Sequence, residues 1–403
     1  MVSALVCCAC VRQGPAAQAI APRHTVRPGL EVLLTDSMRL VAGKRVGFVT
    51  NLAAVDSRGV GAIERLRSAG VRVVALFGPE HGLSATAAPG EKVSASIDAA
   101  NNIPIYSLYG TTVAPTQEML RGIDVLLVDL PDVGARYYTY LATTVHVMQS
   151  AAKENIPVVI LDRPNPIGGA VQGNLLDTAW VSMVGRLAVP MRHGMTLGEE
   201  SRLARSDLAI PVELHVVPVD GWRRDMLFPE TGLPFRAPSP NLKDVESLFH
   251  YPGTCLFEGT ALSVGRGSEA PFSQVGAPWL DTTAVLTLLR AAHLPGVRFR
   301  GVVFTPIMPG DRKFADTTVQ GIRLELTDPV RYDPTRTAVY LLAAVRAVHP
   351  ERIRIGGSFD RLAGGPALRT ALLRGDSPDA IVAGWAAGEA AFRARAVPFL
   401  LYR

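Results

Sequence analysis

Cysteine is scarce in this chain of 403 residues, which contains only four. Three of them lie close together near the N-terminus, at Cys7, Cys8 and Cys10. Cys255 is left alone in the body of the chain, so no internal disulfide is predicted there. No CxxC pair follows either, which argues against a structural zinc site. Cys255 stands in an apolar run, and this context predicts an inert buried thiol.

Charge is also sparse, and lysine especially so. Charged residues make up 19% of the chain and hydrophobic residues 48%, a composition that excludes global disorder and allows a sizeable core. The net charge is +5, but the arginines are scattered and not interleaved with aromatics, so nucleic-acid binding is not predicted. A mild positive field is better suited to an acidic sugar or an anionic wall polymer.

Long apolar runs are also lacking: after the N-terminal segment, no apolar stretch reaches the ~18 residues needed to span a bilayer. Residues 1–11 are small and apolar, and Ala17-Gln18-Ala19 fits a small-x-small cleavage site that would end a signal peptide at residue 19. We therefore expect a signal peptide and an exported protein, either periplasmic or secreted. A lipoprotein box at Leu5-Val6-Cys7-Cys8 is one alternative. A cytoplasmic protein with a misassigned start is another, because the segment lacks a positive n-region.

Strand and helix patterns alternate from about Asp36 onward. Short apolar runs predict buried parallel strands, and helical spacing separates them. The predicted strands cover 45–50, 72–77, 105–108, 124–129 and 158–162, and the predicted helices cover 62–69, 116–120, 140–152 and 197–204. The predicted fold class is α/β, with a Rossmann-like parallel sheet domain over residues 36–230. The Pro-rich stretch 228–241 is interpreted as a crossover into a second, smaller α+β auxiliary domain over 231–403.

Three polar motifs directly follow predicted strands, at residues 78–82, 129–136 and 162–166. The first reads GPEHG, the second DLPDVGAR and the third DRPNP. Ligands of an open parallel sheet bind beyond the carboxyl ends of its strands. Three strands that each deliver a polar cluster to one edge therefore predict a binding cleft there.

Glu80 is the leading candidate for a catalytic acid, with His81 beside it. Its carboxyl group lies in a turn that glycines close on both sides, and partial burial is a usual way to make a carboxyl group a general acid. The alternative is a carboxylate that caps the next turn through backbone N–H groups. Asp129 and Asp132 are candidates for the second carboxylate of a glycoside hydrolase. Either one is equally compatible with an ordinary strand end or turn.

Arginine and tyrosine side chains suited to a sugar acid occur in the same motifs. Arg136, Arg163 and Arg192 can each grip a carboxylate bidentately. Tyr138 belongs to a group of tyrosines after Arg136, and its ring offers a flat face for a sugar and a hydroxyl for the polar edge. Any one of these arginines, considered alone, is more often part of a surface ion pair. At least one of the tyrosines is expected to pack in the core.

Neither a metal nor a cofactor is predicted. His193 precedes a helix N-terminus, but the chain has no His-x-x-x-His or similar spacing. The first strand ends at Thr50-Asn51, not at a Gly-x-Gly-x-x-Gly turn. Without that turn the backbone cannot approach a pyrophosphate, so dinucleotide binding and oxidoreductase chemistry are not expected.

A second group of small and polar residues follows the crossover, at 239–241, 257–260 and 263–268. Dense glycine and hydroxyl residues predict loops that bend close to a ligand, although ordinary turn chemistry is the alternative. Glu258 and Glu269 add acid candidates on this side.

The motifs also carry a family resemblance. They are VGFVTN, LFGPEHG, YSLYG, DVGARYYTY, LDRPNPIGG, VPMRHGMTLGE, GWRRDM, ETGLPF, PSPN, LFEGTALSVGRGSEAPF, GAPW and FDRLAG. Over about residues 36–403 the chain resembles the DUF1343 family of NamZ-like exo-β-N-acetylmuramidases. The resemblance implies a cleft between a Rossmann-like domain and an auxiliary domain. It also implies release of N-acetylmuramic acid from the non-reducing end of peptidoglycan fragments such as MurNAc-GlcNAc.

The resemblance further implies roles for individual residues. Glu80 would be essential for catalysis, and Arg136, Arg163, His193 and Asn241 would line the cleft. One arginine would pair with the lactyl carboxylate that distinguishes muramic acid from glucosamine. We expect further substrate-binding residues at Asn51, Tyr138, Asn165, Arg192, Glu258 and Arg266.

Two departures from the family pattern bear on the exact substrate. Leu52-Ala53 stands where the family usually has Gln-Thr, and Leu130-Pro131 stands where it usually has Ile-Gln. A missing glutamine removes one candidate hydrogen bond to the sugar. The alternative function is a non-catalytic muropeptide-binding protein that keeps the cleft without turnover. Glu80, Arg136 and His193 are all present, so the sequence shows no loss of these site residues.

Overall fold

The structure is a computed structural model that describes residues 26–87, 96–98 and 102–403. The predicted signal peptide at residues 1–19 lies outside the described residues. None of the helices in the described part of the chain is long and apolar enough to cross a membrane.

A seven-stranded sheet organises the first half of the chain, with the strand order β3-β4-β2-β1-β5-β6-β9. All of its neighbouring pairs are parallel except the pair formed by the edge strand β3 with β4. A separate antiparallel pair is formed by β7 and β8. The strands are β1 (Arg45–Thr50), β2 (Arg72–Gly78), β3 (Ser96–Asp98), β4 (Ile103–Ser107), β5 (Val125–Asp129), β6 (Val158–Leu161), β7 (Gln172–Leu175), β8 (Pro190–Arg192) and β9 (Leu214–Val217).

Helices cover both faces of this sheet. Successive side chains of a strand point to opposite faces, so each central strand contributes residues to the apolar cluster on either side. Val46 and Phe48 of β1 belong to one apolar cluster with Leu30 and Leu66, whereas Val49 belongs to the other. The first cluster includes α1 and α2, and the second includes α4 and α5. The helices of this half are α1 (Gly29–Asp36), α2 (Ala62–Ser68), α3 (Gln117–Leu120), α4 (Tyr140–Lys153) and α5 (Leu197–Asp207).

The second half is a three-stranded antiparallel sheet, of order β10-β12-β11, with helices packed around it. Its apolar residues are continuous with the α4 and α5 side of the large sheet, so one core joins the two halves. The elements are α6 (Val245–Thr254), β10 (Gln274–Ala277), α7 (Thr282–Ala291), β11 (Val297–Phe304), β12 (Val319–Leu326), α8 (Pro334–Val348), α9 (Gly357–Ala363), α10 (Ala367–Arg374), α11 (Pro378–Ala383) and α12 (Ala386–Ala396).

The predicted α/β class, with a parallel sheet and a second α+β part, is confirmed. The capping box at the start of α5 is present, because Thr196 and Glu199 bond each other's backbone N–H groups. The sequence pattern over residues 379–395 predicts one helix, but the structure forms two, α11 and α12, separated at Gly384 and Trp385. The crossover 228–241 contains one short 3-10 helix, Phe228–Thr231, and otherwise runs as loop.

Candidate functional site

A tight turn at the end of β2 presents Glu80. A side chain at Gly78 would place its Cβ 2.8 Å from the backbone nitrogen of Leu83, so only glycine fits there. His81 and Gly82 both have positive φ angles, of 69° and 70°, which fold the chain back at once. Glu80 itself is 9% exposed. The turn therefore fixes a nearly buried carboxyl group at the carboxyl end of a central strand.

Two hydroxyl groups hold the Glu80 carboxyl group. Thr139 Oγ1 donates a hydrogen bond of 2.8 Å to Glu80 Oε2. The phenol of Tyr109 also hydrogen-bonds the Glu80 side chain, and its pKa is raised by burial together with that bond and the charge of Glu80. Donors from two different loops restrict the rotation of this carboxyl group.

His81 is held in one tautomer. Its Nδ1 lies 2.8 Å from the carbonyl oxygen of Ala87, so Nδ1 carries the proton and donates it. Burial lowers the pKa of His81, against the opposing charge of Glu80. The imidazole is therefore neutral near pH 7, with the lone pair of Nε2 available to accept a proton.

A cavity of about 130 Å³ lies between the large sheet and the second half of the chain. Both halves contribute polar side chains to its wall, and aromatic rings supply much of the rest. The lining includes Glu80, His81, Tyr109, Tyr137, Tyr138, Thr139, Ser239, Tyr251, Glu258, Arg266 and Phe272.

Arg266 is the cation of this cavity. Its Nε donates to Glu258 Oε1 at 2.6 Å, and Nη2 also contacts Glu258. Its carbon Cζ lies 5.0 Å from the centre of the Phe272 ring. The third nitrogen, Nη1, is buried and has no hydrogen-bond partner within the described residues. Burial opposes the charge of Arg266, but Glu258 raises its pKa, so the guanidinium stays charged with one donor group unused.

Other predicted site residues line a different and smaller cavity, of about 50 Å³. Asp132 and Arg163 line it, with an apolar cover that includes Phe228 and Phe235. Asp129 is fully buried and forms two contacts with Arg163, at 2.5 and 3.0 Å. The structure thus divides the strand-end motifs between two cavities, and it does not place Asp129 or Asp132 in the wall of the Glu80 cavity.

Arg136 and Arg192 are buried and hold the protein together. Arg136 donates to the carbonyl groups of Asn174, Val189 and Leu362. Arg192 donates to the side chain of Gln172 and to the carbonyl groups of Tyr332 and Ile167. Both arginines therefore connect segments distant in sequence, through bonds that already use most of their donors.

The predicted amide and tyrosine residues also have internal partners. Asn51 Nδ2 donates to the Tyr140 hydroxyl at 2.6 Å, and Tyr138 donates to the carbonyl of Pro238 at 3.0 Å. Asn165 Nδ2 donates to the carbonyl of Met195 at 2.9 Å. Asn241 is half-buried, two residues after Ser239 in the cavity wall.

A possible set of metal ligands lies behind the second cavity. Asp132, His193 and Glu200 bring one ligand atom each within 4.8 Å of one another. However, Glu200 Oε1 lies 3.6 Å from Nδ1 of the imidazole and Asp132 Oδ2 lies 4.0 Å from Nε2. One ion can bind only one of these nitrogens, and Met195 N–H already donates to Nδ1. The arrangement is better suited to protonated carboxyl groups beside a neutral imidazole.

The charge states of this cluster follow from burial. Burial raises the pKa of Asp132 to about 7 and that of Glu200 well above its ordinary value. Burial, with the charge of Arg136, lowers the pKa of His193 to about 3. Neither oxygen of Glu200 has a hydrogen-bond partner in the described part of the chain.

Sequence reasoning missed Tyr109, Thr139 and Glu200. Tyr109 and Thr139 belong to the motifs YSLYG and DVGARYYTY, but the spacing of these motifs does not predict that either residue contacts Glu80. Glu200 lies in the first turn of α5, where an acidic residue is ordinary, and only the tertiary structure shows that it is buried.

Comparisons with known proteins agree with this geometry. Residues 46–246 match the family described as exo-beta-N-acetylmuramidase NamZ, N-terminal, and residues 249–402 match its C-terminal counterpart. The peptidoglycan beta-N-acetylmuramidase NamZ of Bacillus subtilis (strain 168) is 40% identical over 366 residues, which cover 90% of this chain and 88% of that protein.

Two solved structures of DUF1343 family proteins from Bacteroides fragilis are also similar. One has a TM-score of 0.87 at 32% identity and covers 95% of this chain and 100% of its own. The other has a TM-score of 0.76 at 29% identity, with 94% and 99% covered.

Proposed function

Because this chain belongs to the exo-β-N-acetylmuramidase NamZ family, we propose that it hydrolyses terminal non-reducing N-acetylmuramic acid from peptidoglycan fragments. The observation that carries the proposal is the Glu80 carboxyl group, which two hydroxyl groups hold in the wall of a cavity that both halves of the chain line. The B. subtilis relative is a peptidoglycan β-N-acetylmuramidase by name, which supports the same reaction class.

Glu80 is the general acid of the proposed reaction. It gives its proton to the glycosidic oxygen as the bond from that oxygen to C1 of muramic acid breaks. Thr139 and Tyr109 set the direction of the carboxyl group, so the proton is delivered along one path. The positive charge that develops at C1 then needs a nucleophile.

His81 is the second catalytic group of the proposal. Its neutral Nε2 can take a proton from a water molecule as the water oxygen attacks C1. The bond to Ala87 keeps Nδ1 protonated and leaves Nε2 as the accepting atom. Glu258 is less suited to this role, because its Oε1 is already paired with Arg266. The acetamido oxygen of the substrate is the alternative nucleophile.

Arg266 is the proposed anchor for the lactyl carboxylate. A carboxylate needs a cation with an unused donor; Arg266 lines the cavity, and its buried Nη1 has no hydrogen-bond partner among the described residues. Arg136 and Arg163, which the resemblance suggested for this role, donate to carbonyl groups and to Asp129 instead. The position of Arg266 thus supports recognition of muramic acid over N-acetylglucosamine.

A pair of chromogenic glycosides tests the proposal. The purified protein should release the chromophore from the β-glycoside of N-acetylmuramic acid and leave the N-acetylglucosamine glycoside nearly untouched. Binding of the first glycoside without release would instead support a non-catalytic muropeptide-binding protein. Cleavage of both at similar rates would contradict the role of the lactyl group. An exported location stays a prediction, and activity recovered outside the cytoplasm of the producing cell would support it.

A further inference from the structure

Lys313 has an unusual environment in the loop between β11 and β12. Its side-chain nitrogen Nζ donates toward four backbone carbonyl groups that converge on it. The distances are 3.2 Å to Phe257, 2.9 Å to Glu258, 2.8 Å to Thr260 and 2.9 Å to Leu262. An ammonium group has three N–H donors, so four carbonyl oxygens exceed what it can bond singly. The ammonium group of Lys313 therefore occupies the centre of a small carbonyl cage.

The carbonyl groups of this cage surround the Glu258 side of the candidate site. The 3-10 helix Cys255–Gly259 ends here, and the carbonyl of Phe257 also accepts from the N–H and Oγ1 of Thr260. Lys313 adds a largely buried positive charge at the point where the four carbonyl groups converge. Burial lowers the pKa of Lys313, but the charges of Asp311 and Glu258 oppose that shift.

The β11–β12 loop also contacts the backbone beside Arg266, the partner of Glu258. Ile307 N–H donates to the carbonyl of Gly267 at 2.8 Å. A side chain at Gly267 would meet the carbonyl oxygen of Ile307 at 2.5 Å, so the two segments are in direct backbone contact. The β11–β12 loop thus fixes the backbone at Glu258 through Lys313 and the backbone beside Arg266 through Ile307.

We propose that Lys313 is a positioning residue that acts as a built-in cation. It draws the carbonyl groups of residues 257–262 together and so fixes the Glu258 carboxylate against Arg266. Arg266 is then held in one orientation in the cavity wall. The functional part of this inference rests on the proposed role of Arg266 in binding the lactyl carboxylate.

Replacement of the ammonium group by an uncharged chain of similar length tests the role. Lys313→Met should raise KM for the muramic acid glycoside about tenfold or more and change kcat much less, because binding by Arg266 is present in both ground and transition states. Lys243→Met is the matched control, since Lys243 Nζ donates to a single carbonyl, that of Ser268, at an exposed site. Equal KM values for the two variants would overturn the proposal.

A second variant tests the cage directly and needs no activity. Lys313→Ala leaves the carbonyl oxygens facing an empty space that suits a monovalent cation close to ammonium in size. Potassium ions should raise the melting temperature of this variant more than sodium ions do, and should leave the wild type and Lys243→Met unchanged. In the activity assay, potassium should restore most of the lost substrate affinity.

The outcomes separate the two proposals. A potassium-specific gain in the stability of Lys313→Ala without any glycosidase activity in the wild type would refute the proposed function and keep the cage. A wild type that is active, with a Lys313→Ala variant indifferent to potassium and normal in KM, would refute the role of Lys313 alone. Circular dichroism of each variant confirms that it is folded before either comparison is made.

Discussion

Replacing Arg266 by lysine should remove much of the selectivity for the charged lactyl group. Lysine keeps the positive charge but lacks the planar guanidinium. In Arg266, Nε and Nη2 of that group contact Glu258, and Nη1 has no hydrogen-bond partner within the described residues. A hydrogen bond to a charged group contributes about 1.5–3 kcal/mol. Because about 1.4 kcal/mol corresponds to tenfold, the loss of this contact should weaken substrate binding by roughly 10- to 150-fold.

The assay compares two substrates that differ in one charge. The first is a chromogenic N-acetylmuramic acid glycoside, and the second is the same glycoside with its lactyl carboxylate converted to the neutral methyl amide. The wild type should prefer the charged substrate in kcat/KM, and Arg266→Lys should lose most of that preference while its activity on the amide changes little. Arg323→Lys is the control, because Arg323 also pairs with a glutamate, Glu269, but lies outside the cavity wall.

A preference for the charged substrate that survives in Arg266→Lys would refute the assignment. So would an equal loss on both substrates, because that result would mean that the arginine supports the site without touching the lactyl group. Melting temperatures of both variants show whether a general loss of folding contributes to either result.

Three further predictions follow from the buried groups. Glu200→Gln should become steadily more stable relative to the wild type as pH rises above ~4.3, by up to about 1.4 kcal/mol per pH unit. The reason is that burial raises the pKa of Glu200, so the folded wild type binds more protons than the unfolded chain and loses stability as pH rises. Urea unfolding at pH 5 and pH 7.5 measures this difference, and an equal difference at both pH values would contradict it. Asp129→Ala should destabilise the protein by about 3–5 kcal/mol, because it leaves the largely buried guanidinium of Arg163 without its carboxylate partner. Urea unfolding checks this, with Asp225→Ala as an exposed control. Equal stabilities of the two variants would contradict it. Thr139→Val should lower kcat on MurNAc-GlcNAc about fivefold to tenfold with little change in KM, since one hydrogen bond to Glu80 contributes about 1 kcal/mol. Steady-state kinetics checks this, and a change confined to KM would contradict it.

Strands marked by a short apolar run were predictable from the sequence, including the partly exposed β4, whereas β7 and β9 were not. β1, β5 and β6 are continuous apolar runs, which is the pattern of a central parallel strand. β7 and β9 include polar residues such as Asn174 and His215 and are only partly buried, so no apolar run marks them. β9 depends on pairing with β6, and β7 on pairing with β8, and a local pattern contains neither contact.

The site could be predicted in part for a similar reason. Strand ends brought Glu80, His81 and Tyr138 to the correct edge of the sheet, and the dense loop after the crossover supplied Glu258 and Arg266. Which strand-end residues share one cavity depends on side-chain directions and on how the second half covers the sheet. Asp129 is satisfied by Arg163, a contact between two motifs 34 residues apart that spacing alone does not reveal.

The most direct test of the central claim, that Glu80 protonates the leaving group, compares two leaving groups. Glu80→Gln should lose about 10²- to 10⁴-fold in rate on MurNAc-GlcNAc, whose leaving alcohol needs a proton. It should lose much less on an aryl glycoside whose phenol leaves readily as an anion. Glu269→Gln, at an 81% exposed carboxylate, should match the wild type on both. Equal losses on the two substrates, or full activity of Glu80→Gln on the disaccharide, would contradict the account.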